Sequence, residues 1–368
     1  MRILTGIDLP FSPSCGSLIL ANDLYSSVSD HKVRFLALLP YSPQGWSGLE
    51  DLSLLAIKKE KDENIFFSYV ASLHKEILKH VDEFKPDIIH IQHLSFGMAL
   101  AFAKLDNVPK VAICHGTGVL FARNSRFHLD ILKEVVSRTE RIIFPSTGMY
   151  KDLKKIIEPK KAEIVPWGLP DAMMRSFKIS QKQNRKGLNI LYAGRLTKNK
   201  QLDLVIRAIY LLEETVSLTI IGEGEELENL MQLVNHLGLK RRIKFISFMS
   251  REDLWRSFKD FDVLVVCSQN IEAFCLVAIE AQAHGLPVIY ARTGGLVDIL
   301  GNTGLEFDAN SYQDLADKIN QVFMNKEVLH DLSNRGLRNA RKYVISKTRE
   351  RVLTISAEVI NETNKSLG

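Results

Sequence analysis

Short apolar runs alternate with longer amphipathic stretches along almost the whole chain. The runs are rich in Val, Ile and Leu, and each is separated from the next by enough residues to form a helix. This spacing is typical of βαβ units, in which parallel strands are buried on both faces and helices connect them. The predicted strands cover residues 2–7, 33–39, 88–92, 111–115, 141–145 and 162–166, and then 189–193, 217–221, 242–246, 263–267 and 287–290.

A polar run between the two series of strands divides the chain nearly in half. The stretch from Ser180 to Gly187 carries no apolar periodicity and is typical of a linker. A chain of 368 residues also exceeds the usual size of a single hydrophobic core. We therefore predict an α/β protein with one domain over residues 1–170, a linker over 171–186 and a second domain over 187–343. After residue 310 the pattern is helical to the end.

Composition and charge exclude several classes of protein. Apolar residues make up 46% and charged residues 25% of the chain, which is typical of a globular protein with an ample core. The net charge of +5 is spread evenly over the two halves, so it does not indicate a nucleic-acid-binding face. The first residues resemble a strand rather than a signal peptide, and no apolar run is long enough to cross a membrane. We predict a cytoplasmic protein with at most peripheral membrane contact.

The cysteines and a group of lysines add little to this picture. Cys15, Cys114, Cys267 and Cys275 contain no C-x-x-C pair, which indicates a reducing compartment and no structural zinc site. A basic patch follows residue 150, and a solvated helix face explains it better than contact with anionic lipid. The patch consists of Lys151, Lys154, Lys155, Lys160 and Lys161.

Two glutamates bracket a predicted turn from a strand to a helix. Glu272 follows the strand at 263–267, and Glu280 lies about two turns into a helix predicted over 274–283. In open α/β sheets, ligands bind at the carboxyl ends of the strands. An ionised carboxylate accepts hydrogen bonds from vicinal hydroxyls with good geometry. Both acids are therefore candidate ligand-binding residues, and the alternative is a solvated loop acid followed by a helix-surface acid.

Two cations follow the first predicted strand of the second half. Gly194 and Arg195 come directly after the strand, and Lys200 precedes a helix predicted over 202–212. Arg offers a planar fork and Lys a point charge, so the pair is suited to a diphosphate. Cations in the first turn after a loop are also common without any ligand.

Glycine pairs follow two later strands. Gly222-Glu223-Gly224 precedes a helix predicted to begin near Glu226, and Gly294-Gly295 follows the strand at 287–290. Glycines at these places let a nucleotide approach the backbone closely. A simple turn from strand to helix explains each pair equally well.

Together these motifs resemble the retaining nucleotide-sugar glycosyltransferases of family 4, within the glycosyl transferases of group 1. Glu272 and Glu280 match the family's E-x7-E signature, and Arg195 and Lys200 match its G-R-L-x-x-x-K element. The resemblance is specific over about residues 187–310 and diffuse over the first half. It implies the GT-B fold, in which two Rossmann-like parallel-sheet domains face a cleft and a C-terminal helix, here about 344–368, crosses back to the first domain.

The resemblance also implies roles for individual residues. The first acid of the family's signature binds donor-sugar hydroxyls, the second binds ribose hydroxyls, and the two cations neutralise the donor diphosphate. A family His touches the donor sugar across the cleft, and that position corresponds to His115. The implied catalytic residues are Arg195, Lys200, Glu272 and His115, and the implied donor-binding residues are Gly16, Gly222, Glu223, Phe274, Cys275, Leu276, Glu280, Gly294 and Gly295.

The chain departs from the family pattern at a few positions. Cys275 and Gln201 stand where the family usually has Gly, and Cys15-Gly16 replaces a frequent double Gly in a loop that runs from Phe11 to Ser17. His90 and His93 also lie at a predicted strand end. We interpret them as polar strand-end residues rather than ligands of an acceptor.

The resulting hypothesis is a retaining transferase that moves a sugar from a nucleotide diphosphate sugar to an acceptor hydroxyl. On family frequency we favour a UDP-sugar, with a GDP-sugar next. Because Arg195 and Lys200 supply the positive charge, we predict no metal and no cofactor, and the resemblance assigns no general base. The first domain would bind the acceptor, which could be a glycan, a lipid-linked sugar or a small polyol. No nucleic-acid partner is predicted.

Three alternatives remain to be weighed against this hypothesis. A metal-dependent transferase of the single-domain type would use Asp260 and Asp262 as a D-x-D motif, but these acids begin a strand instead of ending one. A sugar-nucleotide epimerase of the same fold would need cleft acids and histidines that move a proton. The third alternative is a non-catalytic partner of another transferase that binds a sugar nucleotide or glycan. Intact Arg195, Lys200, Glu272 and Glu280 argue against such a decayed enzyme.

Overall fold

The chain folds into two compact units. The computed structural model describes residues 1–9, 15–26, 28, 30–39, 48–60, 62–175, 187–268 and 272–367. The first unit comprises Met1–Trp167 with Ile345–Gly368, and the second comprises Gly168–Val344. Residues 11–14 of the predicted glycine-containing loop and 176–186 of the predicted linker lie outside the described residues.

The first unit is built on a parallel sheet. Its strands are β1 (Arg2–Ile7), β2 (Lys32–Leu38), β3 (Asp51–Leu55), β4 (Ile88–Gln92), β5 (Lys110–Ile113), β6 (Arg141–Phe144) and β7 (Ala162–Ile164). Within the described residues these seven strands follow the order β3-β2-β1-β4-β5-β6-β7, and every pair is parallel. β4, β5 and β6 are buried at every position, because helices cover both faces of such a sheet.

Helices connect the strands of the first unit. They are α1 (Gly16–Tyr25), α2 (Glu63–Phe84), α3 (Gly97–Ala103), α4 (Thr117–Asn124), α5 (Arg126–Ser137) and α6 (Thr147–Lys154). Side chains that precede several of them accept a hydrogen bond from a free backbone N–H of the first turn. Asp62 does so for α2, Ser125 for α5 and Ser146 for α6.

The second unit repeats this architecture. After the short helix α7 (Asp171–Arg175), its strands are β8 (Leu188–Ala193), β9 (Val216–Ile221), β10 (Ile243–Ile246), β11 (Val263–Val266), β12 (Val288–Ala291) and β13 (Leu305–Phe307). The described residues form a six-stranded parallel sheet in the order β10-β9-β8-β11-β12-β13. The order reverses beside β8, which pairs with β9 on one side and with β11 on the other.

The helices of the second unit cover both faces of its sheet. They are α8 (Leu202–Tyr210), α9 (Leu227–His236), α10 (Arg251–Ser257), α11 (Leu276–Ala283), α12 (Gly294–Leu300), α13 (Tyr312–Met324) and α14 (Lys326–Ala340). A short 3₁₀ turn at Lys198–Lys200 leads into α8. The apolar faces of α8, α9 and α13 share one core with β8, β9 and β11.

The last helix, α15 (Ile345–Leu367), belongs to the first unit. The Arg349 guanidinium donates to the backbone carbonyls of Asp23, Leu24 and Ser26 at 2.7–2.9 Å. These carbonyls lie at the C-terminal end of α1, where helical carbonyls have no partner of their own. A buried Arg141 from β6 pairs with carboxylates on α15, among them Glu362 at 2.6 Å.

These observations confirm the predicted fold class of two parallel-sheet domains with a final helix returning to the first. The prediction missed β3 and β13. Both are edge strands, and three of the five β3 positions are only partly buried while a fourth is exposed, so neither carries a continuous apolar run. The helix predicted from residue 274 begins at Leu276, and Glu280 lies about one turn into it rather than two. Among the described helices, none is long and apolar enough to cross a membrane.

Candidate functional site

The carboxyl ends of β8 and β11 bring the predicted cations and acids together. Arg195 and Lys200 follow β8, and Ser268 and Glu272 follow β11, its neighbour in the sheet. Because β9 and β11 lie on opposite sides of β8, the segments that follow β8 and its neighbours lead away from this end of the sheet in opposite directions. A crevice opens at such a reversal of strand order, and it is the usual ligand site of open α/β sheets.

Lys200 and Glu272 form a largely buried ion pair at this point. The Lys200 ammonium contacts Glu272 Oε2, and it also donates to Ser268 Oγ at 3.2 Å. The Ser268 hydroxyl in turn donates to Glu272 Oε2 at 2.7 Å. The two charged side chains are 20% and 13% exposed. Ser268 was not predicted, although its position directly after a buried strand was a usable signal.

Each member of the pair keeps the other ionised. Burial by itself would raise the pKa of Glu272, but the Lys200 ammonium and the Ser268 hydroxyl outweigh it and lower that pKa below its ordinary value. Burial likewise opposes the charge on Lys200, yet Glu272 raises the pKa of the ammonium. Both effects follow from an opposite charge at close range in a desolvated place.

Arg195 is the exposed cation of the site. Its backbone carbonyl accepts a hydrogen bond from Tyr192 at 2.8 Å, which fixes the turn after β8. In the described parts of the chain, no carboxylate forms an ion pair with its guanidinium. Its charge still reaches the buried pair, because it lowers the pKa of Glu272. A guanidinium without a protein carboxylate is suited to binding an anion bidentately.

Two predicted glycines lie where backbone segments meet. A Cβ at Gly222, whose φ is +150°, would lie 1.9 Å from the carbonyl oxygen of Gly194. A Cβ at Gly295 would lie 1.9 Å from the carbonyl oxygen of Glu272. Real Cβ atoms do not approach so closely, so both positions require glycine. Gly222 therefore ties the loop after β9 to the loop after β8, and Gly295 supports the segment that carries Glu272.

The remaining predicted residues around these loops present their backbones. The carbonyl of Glu223 accepts a hydrogen bond from the N–H of Leu196 at 2.8 Å, and the Glu223 side chain is exposed. Gly294 is the exposed first residue of α12. Phe274 is buried, and its ring packs edge-on against Tyr343 at 5.4 Å between centroids. The Phe274 side chain is therefore structural.

The residue directly before helix α11 has a strained backbone. Cys275 precedes its first residue, Leu276, and adopts the left-handed conformation with φ of 68°. A side chain in this conformation costs free energy that glycine would not. The left-handed conformation turns the chain at Cys275, shortly after Glu272. The chain then enters α11, whose first N–H groups have no partner inside the helix.

Glu280 is held by a residue that the sequence did not reveal. Arg251, the first residue of α10, donates from Nε to Glu280 Oε1 at 2.6 Å. Its guanidinium lies over the ring of Trp255, 4.9 Å from the centroid. The Glu280 side chain is 6% exposed and that of Arg251 15%, so the ion pair is nearly buried. Arg251 lies on a separate helix with no motif around it, and no local signal could have identified it.

The predicted residues of the first unit lie in different surroundings. His115 follows β5, is half-buried, and its Nε2 lies 2.8 Å from Gln92 Oε1. Burial lowers the pKa of His115 to about 3. Gly16 is the exposed first residue of α1. His90 and His93 are both buried, in agreement with their interpretation as strand-end residues.

Two features considered in the sequence have structural explanations. Asp262 lies just before β11, at the opposite end of the strand from Glu272, and accepts a hydrogen bond from the N–H of Asn189 at 2.8 Å. The lysine patch lies on and after α6, where Lys154 pairs with Glu158 at 3.1 Å. Within the described ranges, no cluster of His, Cys, Asp and Glu is arranged to hold a metal ion.

Two family models match the chain, one in each half. Residues 174–339 match the model described as glycosyl transferases group 1. Residues 53–172 match the model described as glycosyltransferase family 4. The matches agree with the resemblance that the motifs had indicated.

Curated relatives match over part of their length. A sulfoquinovosyl transferase of Arabidopsis thaliana is 26% identical over 296 residues, which cover 74% of this chain and 56% of the relative. A D-inositol 3-phosphate glycosyltransferase of a Nocardioides species is 31% identical over 223 residues, covering 54% of this chain and 48% of the relative. The chain therefore spans about half the length of these relatives.

Solved structures share the fold over the whole chain. A sucrose-phosphate synthase from Thermosynechococcus elongatus superimposes with a TM-score of 0.82, 17% identity and coverage of 98% of this chain and 99% of that one. HepE of Anabaena, determined in complex with UDP-glucose, superimposes with a TM-score of 0.80, 16% identity and full coverage of both chains. At such identities the likeness establishes the fold alone.

Proposed function

Because the chain belongs to the glycosyltransferases of group 1 and family 4, we propose that it transfers a hexosyl group from a nucleotide diphosphate sugar to an acceptor hydroxyl. The observation that carries this proposal is the group formed by Lys200, Glu272 and Arg195 at the reversal of strand order in the second unit. It combines the exposed guanidinium of Arg195 with the largely buried ammonium of Lys200 and the ionised carboxylate of Glu272. A diphosphate and a sugar need these two kinds of partner side by side.

The cations act on the diphosphate. The Arg195 guanidinium binds one phosphate. The Lys200 ammonium binds the other phosphate while it remains in contact with Glu272. Negative charge grows on the diphosphate as the bond to the sugar breaks, so fixed cations stabilise the transition state more than the bound donor. Lys200 is ready for this task because the pair with Glu272 already keeps it charged.

The acids act on the sugar and the ribose. Glu272 accepts hydrogen bonds from hydroxyls of the transferred sugar, while Ser268 and Lys200 hold the carboxylate in place. Glu280 accepts from the ribose hydroxyls through the oxygen that Arg251 does not engage. The free N–H groups at the start of α11 meet the sugar and phosphate, with Phe274, Cys275 and Leu276 contributing backbone only.

The transfer proceeds with retention of the anomeric configuration. The bond between the anomeric carbon and the β-phosphate oxygen breaks, and a bond to the acceptor oxygen forms on the same face of the sugar. The acceptor proton passes to the departing phosphate oxygen, so no protein base is required. Neutral His115 binds a substrate hydroxyl in this scheme.

UDP-sugars are the proposed donors. This choice is supported by family frequency and by HepE of Anabaena, whose structures contain UDP and UDP-glucose, and GDP-sugars come next. With Arg195 and Lys200 supplying the positive charge, transfer needs no metal ion. A rate that is the same with EDTA and with added Mg²⁺ or Mn²⁺ is the expected result, and loss of activity in EDTA contradicts it.

A thermal-shift panel of UDP, GDP, ADP and their sugar conjugates tests the donor site. A ligand that binds only the folded protein stabilises it by about 2.7 kcal/mol at a concentration of 100 Kd, so the midpoint rises for the true donor nucleotide. Glu280→Ala removes the ribose ligand and should abolish the shift. Glu228→Ala, an exposed acid on α9, is the matched control and should retain it. A shift that survives Glu280→Ala would refute this assignment.

The reaction products separate the remaining hypotheses. NMR of the product with the identified donor should show a glycoside of the same anomeric configuration as the donor. Formation of an epimeric sugar nucleotide would identify an epimerase. Binding of the donor without transfer or slow hydrolysis would identify a non-catalytic sugar-nucleotide-binding partner.

A further inference from the structure

A chain of buried hydrogen bonds runs from His115 to the last helix through the core of the first unit. His115 Nε2 lies 2.8 Å from Gln92 Oε1, and Gln92 Nε2 lies 2.9 Å from the Tyr25 hydroxyl. Tyr25 lies 2.9 Å from Nδ1 of His90, whose Nε2 lies 2.8 Å from Ser356 Oγ on α15. Apart from His115, these side chains are almost fully buried.

The position of each proton in this series of hydrogen bonds can be deduced by starting from Ser356 on α15. The Ser356 hydroxyl donates its only proton to the carbonyl of Val352 at 2.7 Å, so it must accept from His90 Nε2–H. Burial lowers the pKa of His90 to about 3, and a neutral His90 protonated on Nε2 can only accept at Nδ1. The Tyr25 hydroxyl therefore donates to His90, and it must accept from the Gln92 amide.

Thr5 fixes the same Gln92 orientation independently. The Thr5 hydroxyl donates its only proton to the carbonyl of His90 at 2.8 Å. It can therefore only accept from Gln92, whose Nε2 lies 3.0 Å away. Both ends of the network thus turn the amide nitrogen of Gln92 toward the core and its carbonyl oxygen toward His115.

The Gln92 carbonyl oxygen can only accept, so His115 must carry its proton on Nε2. With a pKa lowered by burial, the ring is neutral and Nδ1 keeps its lone pair. Among the described residues, no protein group donates a hydrogen bond to Nδ1. The nearest aromatic neighbours are His93 and Trp167, with ring centroids at 4.6 and 6.2 Å.

We propose that Gln92 is a positioning residue that holds His115 in the Nε2–H tautomer, so that Nδ1 accepts a hydrogen bond from a substrate hydroxyl. The role of that hydroxyl rests on the glycosyl transfer proposed above. The hydrogen bond made by one ring nitrogen of a histidine sets the chemistry of the other. A flipped Gln92 amide would place a proton on Nδ1, and the ring could then no longer accept at that atom.

Two residues orient the Gln92 amide independently of each other, and this can be tested. Thr5 and Tyr25 each suffice to orient the amide, because each can only accept from Gln92. Thr5→Val or Tyr25→Phe alone should leave the His115 tautomer unchanged. Thr5→Val combined with Tyr25→Phe removes both anchors and should give a mixture of the two tautomers. Both substitutions nearly preserve the shape of the side chain, so each removes the hydrogen bonds of one hydroxyl rather than packing contacts.

The test uses the full-length protein labelled with ¹⁵N in its histidine rings. In the wild type, His115 and His90 should each show a protonated Nε2 and an unprotonated Nδ1. The signals are assigned by comparison with variants in which one histidine is replaced. A proton on Nδ1 of His115 in the wild type would overturn the proposal. A tautomer shift in either single variant, or none in the folded double variant, would overturn the redundant anchoring by Thr5 and Tyr25.

Rates then separate this inference from the proposed function. The double variant should transfer sugar more slowly in proportion to the fraction of rings that carry their proton on Nδ1, by about twofold for an even mixture and by at most about fivefold, the loss of one neutral hydrogen bond, while each single variant remains close to wild type. An unchanged rate in a double variant with mixed tautomers would refute the positioning role. If no donor is ever turned over, the proposed function fails, whereas the spectra still decide whether Gln92 sets the tautomer.

Discussion

The two units hold their predicted functional residues by opposite means. In the second unit, Lys200 and Glu272 are ionised, and each raises or lowers the pKa of the other so that both charges persist in a desolvated place. In the first unit, His115 and His90 are neutral, and hydrogen bonds alone orient them. Both arrangements are buried, but only one is charged.

The difference matches the groups that each side would bind. A diphosphate carries negative charge that grows during transfer, and preorganised cations stabilise it strongly. A sugar hydroxyl is neutral, and a neutral nitrogen with a fixed lone pair is the better partner. Charge in a desolvated place is costly without a partner, and Lys200 and Glu272 supply that partner for each other.

Removing a cation from the charged site should have the largest effect. Lys200→Ala or Arg195→Ala should lower kcat by about 10²–10³, or about 2.7–4 kcal/mol of transition-state stabilisation, because each acts on charge that develops during transfer. The donor KM should change less than kcat. Lys198→Ala, an exposed lysine in the same turn, is the control and should leave both constants unchanged. Full turnover in both cation variants would show that the site does not clamp a diphosphate.

Arg251→Ala should break the second ion pair of the charged side. It leaves Glu280 nearly buried without its cation, so we expect the free energy of unfolding to fall by about 3 kcal/mol in urea denaturation. Arg251→Lys should restore only part of this loss, since an ammonium cannot reproduce the planar contact with Trp255. UDP affinity should decrease in both variants.

Arg256→Ala on the same helix is the control for Arg251. Its exposed pair with Asp253 should contribute little to stability, because solvent screens the two charges. Equal losses of stability in the Arg251 and Arg256 variants would show that the Glu280 pair is not special.

Acid should destabilise the neutral side. The pKa of His90 is lowered from 6.5 to about 3 in the folded chain, so below pH 6.5 the unfolded chain takes up a proton that the folded chain does not. Stability must then fall as pH decreases, by about 1.4 kcal/mol per pH unit for this residue. When the free energy of unfolding is measured by urea denaturation between pH 7.5 and 5, it should fall less steeply with decreasing pH for His90→Gln than for the wild type.

An exposed histidine supplies the comparison for His90. His330 lies on the surface of α14, and His330→Gln should follow the wild-type dependence of stability on pH. If His90→Gln follows it equally well, the buried histidine is not the source of the acid sensitivity.

The smallest expected effect concerns the backbone at the start of α11. Cys275→Gly should raise the free energy of unfolding by about 1 kcal/mol, because a left-handed conformation costs a side chain about that much. Cys15 precedes α1 with a φ of −89°, so Cys15→Gly is the matched control and should bring no gain. Loss of stability in Cys275→Gly would mean that contacts of the thiol outweigh the strain.

Much of the fold followed from local pattern. Buried parallel strands consist mainly of apolar residues, so nine of the eleven predicted strands both begin and end within one residue of those observed, and β1 and β4 match without any shift. The edge strands β3 and β13 were missed because their sequences, with an acid or a serine among few apolar residues, are less apolar, whereas the edge strands β7 and β10 were predicted. The candidate residues Arg195, Lys200, Glu272 and Glu280 were also found from their places at strand ends and on the following helix.

The partners of those residues could not be found in the same way. Arg251 reaches Glu280 from another helix, and Ser356 reaches His90 from the far end of the chain. Neither pairing leaves a periodic or spaced trace in the sequence, because a hydrogen bond between distant segments constrains only the two residues that make it.

Hydrophobic period and position at a strand end are local properties, so the two parallel-sheet domains, the family resemblance and the candidate residues could be predicted from the sequence. The pairing of Lys200 with Glu272, the contact of Arg251 with Glu280 and the orientation of His115 by Gln92 became visible only in the folded chain. These facts depend on the order of strands in each sheet, which brings together residues far apart in the chain and leaves them with or without water.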